Sequence, residues 1–243
     1  MKIPTITGII RRRILLNYRL QPDVAKAMLP RNFRPKMAGG YAVAGICLIR
    51  LEKIRPKGMP AIFGISSENS AHRIAVEWEG DDGLKREGVF IPRRDTNSWM
   101  NAAAGGRIFP GVHHFSKFTV SDHDGKISLR VDADDIKSPL VDIELSETEV
   151  FPVTSIFGSI KESSKFFEAG CVGYSTRPNS CVLDGILLKA ENWRISALSI
   201  EKVHCAFYGD KSVFPEGSIE LDHALLMRDI SHEWHSEPAM RAE

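Results

Sequence analysis

The sequence predicts a mostly β protein of the α+β class, built as one large, mostly antiparallel sheet or barrel with a few short helices. Three observations lead there. Strand-like segments far outnumber helical ones. The helical stretches are separated by several strands each, which argues against an alternating β–α–β architecture. Tight-turn signals at Gly80-Asp81-Asp82-Gly83 and His123-Asp124-Gly125 join neighbouring strands as hairpins.

The elements follow in order. Arg11–Leu20 is rich in large apolar and aromatic residues and predicts a strand. Gln21-Pro22-Asp23 opens a short helix, because a proline in the first turn removes an N–H that has no helical partner. Val24, Ala27 and Met28 give that helix one apolar face, and Pro30 ends it. Gly39-Gly40 reads as a turn, and Tyr41–Leu51 as a buried strand. Ile54–Pro60 holds Pro56, Gly58 and Pro60 and predicts a loop. His72–Glu79 and Glu87–Arg94 form the first hairpin. Residues 96–105 predict a helix capped by Thr96 or Ser98 and stopped by Gly105-Gly106, with Arg107 pinning its end. Phe115–Val120 and Lys126–Val131 form the second hairpin, and Val141–Val150 a further strand. Ser159–Ala169 predicts a helix that buries Ile160, Phe166 and Phe167 and stops at Gly170. Ser180–Lys189, Ile195–Val203 and Ser218–Leu226 predict the last strands.

With 243 residues and a 43% hydrophobic share, the chain can bury a substantial core, read as a single domain over 1–243. The polar tail 235–243 is expected to fray. Lys+Arg 32 against Asp+Glu 31 leaves no electrostatic footprint for nucleic acid. No apolar run approaches the ~20 residues a membrane helix needs. The N-terminus lacks the long apolar run of a secretory signal, so the expected location is the cytoplasm. Cys47, Cys171, Cys181 and Cys205 have no CxxC spacing and read as reduced packing thiols. His232-Glu233-Trp234-His235 is one residue short of the zinc-helix spacing, so no metal is expected. There is no GxGxxG, P-loop or GxSxG, and no cofactor is expected.

The order of several motifs resembles a known superfamily. Residues Leu16-Asn17-Tyr18-Arg19-Leu20-Gln21-Pro22-Asp23-Val24-Ala25, with Leu29-Pro30 closing the helix, are similar to the opening of acetoacetate decarboxylase. Ser66-Ser67-Glu68 resembles that family's Tyr-x-Glu segment. Gly106-Arg107 followed by Phe109-Pro110 resembles its Gly-Arg-Glu segment. The Phe166-Phe167 helix, Tyr174 and Trp193 look more like its uncharacterised bacterial relatives. The resemblance covers roughly residues 10–234. It implies an antiparallel β-barrel or cone with an internal pocket, often in a homo-oligomer.

Acetoacetate decarboxylase chemistry uses a lysine amine that forms a Schiff base with a ketone, beside a second lysine, an arginine for a carboxylate and a glutamate. The resemblance places Arg19 at the arginine and Glu68 at the glutamate. The Pro-Lys-Lys run falls on Val112-His113-His114, with one residue deleted after Arg107. An imidazole cannot form that Schiff base. Lys117 could supply an amine only if the alignment slips.

Each candidate has a functional and a bland reading. On a strand, His113 and His114 point to opposite faces, so at most one enters a barrel. That one is either a wall residue or a proton carrier. Glu68 is either a surface residue or, facing inward, shares its face with Ser70 and His72, where a Glu–His pair could move a proton. Arg19 either makes an ion pair or, facing inward, needs an anion. The expected function is therefore small-molecule binding in an internal pocket without Schiff-base chemistry, an organic acid being one candidate ligand. Two alternatives stand beside it. One is a lyase or isomerase with Glu68, His113 or His114 as catalytic groups and Arg19 and His72 binding substrate. The other is a structural or interaction protein whose pocket is filled.

Overall fold

The computed structural model describes residues 4–104, 110–136 and 139–242. Among the described residues, thirteen strands form one sheet. The first half of the chain supplies β1 (Ile6–Leu20), β2 (Arg34–Pro35), β3 (Met37–Ala38), β4 (Tyr41–Pro56), β5 (Ile65–Glu79) and β6 (Lys85–Thr96). The second half supplies β7 (His113–His123), β8 (Lys126–Ala133), β9 (Val141–Thr148), β10 (Val172–Thr176), β11 (Val182–Ala190), β12 (Ser196–Cys205) and β13 (Ile219–Arg241). The α-helices are short: α1 (Pro22–Met28), α2 (Trp99–Ala104), α3 (Ile160–Ala169) and α4 (Ala206–Gly209).

Local sequence explains the main elements. Pro22 sits in the first turn of α1, and Val24 and Met28 pack inward. Ser159 caps α3 by accepting from the Glu162 N–H at 3.2 Å, while Glu162 reaches back to the Gly158 N–H at 3.0 Å. The β7–β8 hairpin turns through Asp124 and Gly125, both at positive φ (51° and 72°), as a two-residue turn requires.

The strand pairing explains where the site can be. β13, β1, β4, β5 and β6 pair in that order, all antiparallel. From β6 two routes lead back to β13. One runs through β7, β8, β9 and β12. The other runs through β10 and β11. The pairings thus close two circuits that share one wall. β6 pairs in parallel with both β7 and β10, so the mostly antiparallel sheet is mixed at this fork.

Side chains on the shared wall alternate between the two interiors. Ile14, Leu16, Ile46, Leu48 and Ile74 face the first interior and pack with Leu129, Ile143 and Leu145 into an apolar core. Each such buried aliphatic side chain contributes roughly 1.5–3 kcal/mol. Leu15, Val43, Cys47 and Ala75 face the other side, where Phe167 of α3 packs on them.

Several sequence expectations need correction. Residues 235–241 are not frayed. They continue β13, pairing Leu187 with His235 through Val182 with Arg241, and Met240 packs on the Phe33–Trp78 cluster. Polar side chains there hid a strand whose backbone has a partner. β4 runs on to Pro56 through a bulge at Lys53 (φ 54°) where a loop was expected. β10, too short to show a period, was not expected. Gly105, Gly106, Arg107 and Phe109 lie outside the described residues. Among the described residues no helix is long and apolar enough to cross a membrane.

Candidate functional site

The second interior keeps a cavity of about 140 Å³. Its walls alternate as the strands do. Arg13 of β1, Cys47 and Ile49 of β4, and Ala71 and Arg73 of β5 come from the shared wall. Val89 and Ile91 of β6 and Ile186 and Leu188 of β11 add apolar walls, with Arg94 of β6, His113 at the start of β7 and Trp234 of β13.

Three guanidiniums enter this cavity, and no lysine lines it among the described residues. Arg73 is 3% exposed and lies 4.7 Å from the Phe167 ring centre. One of its nitrogens, Nη2, donates to Asn17 Oδ1, while Nε and Nη1 have no hydrogen-bond partner. Burial draws its pKa down to about 10. Arg94 donates from Nε to Ser175 Oγ at 3.3 Å, its Nη2 is buried without a partner, and burial draws it too to about 10. Both remain cations at neutral pH. Arg13 donates from Nε to Cys47 Sγ at 3.3 Å and stands over the Trp193 ring at 5.7 Å. None of the three makes an ion pair with a carboxylate among the described residues. Asp95 also reaches the cavity, but its oxygens are held by Arg93 at 2.7 Å and by Ser70 and Ser116 at 3.2 Å each.

Two glycines permit this geometry. A Cβ on Gly45 would stand 2.5 Å from the Leu16 carbonyl and 3.3 Å from Arg73 Nη2. Gly111 sits at φ 84°, and a Cβ there would meet Ser175 Cβ at 2.7 Å, pushing the approach to His113 off Arg94.

Behind Arg73 lies a polar chain. Asn17 Nδ2 is 3.1 Å from His223 Nε2, and His223 Nδ1 is 2.6 Å from Asp222 Oδ2. Ser163 Oγ of α3 lies 2.7 Å from the same His223 Nε2. Ser163 and His223 are both fully buried and do not line this cavity, so this serine–histidine–aspartate set is closed off from a ligand there. Burial pushes the His223 imidazole down against the pull of Asp222. Burial pushes Asp222 up, and its hydrogen bonds from His223, Ser155 and Ile156 outweigh this and hold it below the usual carboxylate range.

The structure places the sequence-derived candidates differently. His113 lines the cavity, and burial, with Arg94 nearby, drives its pKa down to about 3, so it is a neutral imidazole. His114 points the other way, 3.5 Å from Asp135. Glu68 and His72 share a face of β5, and neither lines the cavity. Glu68 meets Arg12 at 2.8 Å, and burial raises its pKa against the pull of Arg12 and Arg50. His72 is fully buried, 3.6 Å from Cys205 Sγ and stacked near Phe207, and burial drives it down to about 3. Four residues of strand separate the two, about 13 Å, so the expected Glu–His pair is corrected. Arg19 shares Arg13's face but lies about 20 Å along the strand. There it pairs with Glu220 and lies over Tyr41, outside the cavity walls. Lys117 is exposed on β7. All four cysteines are free thiols. Among the described residues no group of three or more His, Cys, Asp or Glu is placed to hold a metal.

Arg13, Arg73, Arg94 and Cys47 were missed as site residues. The available signal was the Asn69, Ala71, Arg73, Ala75 alternation in β5, small residues and one cation on one face.

The fold has solved counterparts. Acetoacetate decarboxylase from Legionella pneumophila superposes with a TM-score of 0.63 at 13% identity, over 97% of this chain and 87% of that one. An acetoacetate decarboxylase-like enzyme from Sphingomonas wittichii gives 0.61 at 14% identity, over 99% and 93%. The enduracididine biosynthesis enzyme MppR, complexed with pyruvate, gives 0.58 at 11% identity, over 99% and 91%. No curated protein matches the chain by sequence. The family model DUF2071, described as an uncharacterized conserved protein, matches residues 9–204. The chain therefore belongs to the DUF2071 family and has the acetoacetate decarboxylase-like fold.

Proposed function

We propose that this protein binds a small organic carboxylate in the cavity between the shared wall and β10–β11, without Schiff-base chemistry. The single observation that carries the reading is Arg73. It is a buried guanidinium with two unpartnered nitrogens in the wall of the cavity. A buried charge needs a counter-charge and hydrogen-bond acceptors, and no carboxylate among the described residues pairs with it. Arg94 adds a second guanidinium, with one unsatisfied nitrogen, to the same cavity wall. A planar carboxylate matches such donors. The apolar surround of Ile49, Val89, Ile91 and Leu188 suits a hydrocarbon body. A cavity of about 140 Å³ suits a molecule near the size of benzene. The likeness to MppR bound to pyruvate is in keeping with a small acid.

No lysine lines the described cavity, so a ketone there meets no amine. His113 is a weak base in this setting, and its role in the proposal is to shape the wall. A cytoplasmic site of action and a homo-oligomeric state belong to the same reading.

Calorimetric titration with benzoate and benzamide tests it. Benzoate binds at least tenfold more tightly and benzamide weakly. Equal affinity for the two defeats the proposal.

A further inference from the structure

We propose that Cys47 is a nucleophilic thiol that bonds covalently to small carboxylates carrying an electrophilic carbon. The proposal rests on the carboxylate reading and adds a reactive group to it.

The sulfur belongs to the cavity wall and receives an N–H from the Arg13 guanidinium at 3.3 Å. It also lies within electrostatic reach of Arg73 and Arg94. Three cations with no carboxylate partner among the described residues thus share the cavity wall with one thiol. The second observation is independent of the sulfur. The buried Arg73, which has two nitrogens without a hydrogen-bond partner, lines the same cavity, so the place that holds the thiol also carries a cation in want of an anion.

Cys171 provides the contrast within the same cavity. Its thiol donates to the Glu168 carbonyl at 2.9 Å, and burial pushes its pKa up. Cys47 accepts a hydrogen bond from a cation, whereas Cys171 gives one to a carbonyl. The arrangement selects Cys47 as the nucleophile.

The chemistry balances without a further reactant. With an α,β-unsaturated acid, sulfur bonds to the β-carbon and the π pair moves to the α-carbon. That carbon takes the proton the thiol gave up. With a haloacid, the S–C bond forms, the carbon–halogen bond breaks, halide leaves with its electron pair, and the thiol proton passes to solvent.

Iodoacetate and iodoacetamide separate the parts of the argument, because they share a leaving group and only one carries a carboxylate. The exposed Cys181 serves as an internal reference. Peptide mass spectrometry after brief exposure reads each site. The iodoacetate-to-iodoacetamide rate ratio at Cys47 is at least tenfold higher than at Cys181. Benzoate protects Cys47 but not Cys181, and R94Q lowers the ratio toward that of Cys181. If neither reagent labels Cys47 while benzoate still binds, the thiol proposal falls and the carboxylate site stands. If both reagents label Cys47 with the ratio seen at Cys181, the covalent proposal and the carboxylate reading fall together.

Discussion

Asn17 Nδ2 lies 3.1 Å from His223 Nε2, and this contact sets what Arg73 meets. A guanidinium has only donors, so Arg73 must face the amide oxygen of Asn17. The amide nitrogen then faces His223, whose Nε2 must accept. The ring proton therefore sits on Nδ1, where Asp222 receives it at 2.6 Å. One direction of hydrogen bonding runs from the cavity to Asp222. Asn17→Asp places a carboxylate against Arg73 and supplies the counter-charge internally. Benzoate affinity falls at least tenfold in that variant, measured by calorimetry, while the protein still folds.

Removing a cavity cation separates stability from binding. A guanidinium with a buried nitrogen left without an acceptor costs folding free energy, and neutral replacement is often neutral or stabilising. Arg94→Gln holds or raises the melting temperature of the ligand-free protein and abolishes the rise that benzoate produces in the parent. Thermal unfolding with and without benzoate checks both halves. A variant that melts lower and still responds to benzoate contradicts the assignment.

Glu68 belongs to the other side of β5. Its partner Arg12 is buried, with only the longer 3.6 Å contact to Asp122 in reserve. Glu68→Ala leaves that guanidinium short of a counter-charge and costs about 3 kcal/mol. Benzoate affinity stays within a factor of two. Denaturant unfolding and calorimetry on the same variant check the pair of outcomes.

Acid exposes a different weakness. Burial drives His72 down to about 3 and, with Arg13 adding to the effect, His232 down to about 4. Both imidazoles are neutral in the folded protein, while the unfolded chain takes up protons near 6.5. Their contribution is fully present above that value and is lost as pH falls from there toward the folded values. Each costs about 1.4 kcal/mol between pH 7.5 and pH 5.5. His72→Phe, which suits the ring stack with Phe207 and Tyr208, removes about that much of the pH dependence. Urea unfolding at the two pH values checks the slope. An unchanged slope in His72→Phe excludes this source.

The fold was legible because its signals are local. Pro22, the Gly39-Gly40 turn, the Asp124-Gly125 hairpin and the Ser159 cap each act within a few residues. The site was not legible in the same way. Period two tells which residues share a face of β5, but not which face looks into a cavity. That depends on β10 and β11, distant in sequence, closing over one side. The even set, with Glu68 and His72, carried more recognisable chemistry than the odd set with Arg73. Resemblance favoured Arg19, which lies too far along β1. Of the two adjacent histidines, the turn through Gly111 gives His113 to the cavity.

The shared wall has a consequence for how the chain finds its alignment. Neighbouring residues such as Arg13 and Ile14, or Arg73 and Ile74, serve opposite compartments. Misthreading by a single position would drive guanidiniums into hydrocarbon and leave aliphatic groups in the chamber meant for an acid. The same charges that wait for a ligand thus act as proofreaders of assembly, penalising every misaligned threading before the ligand is ever met.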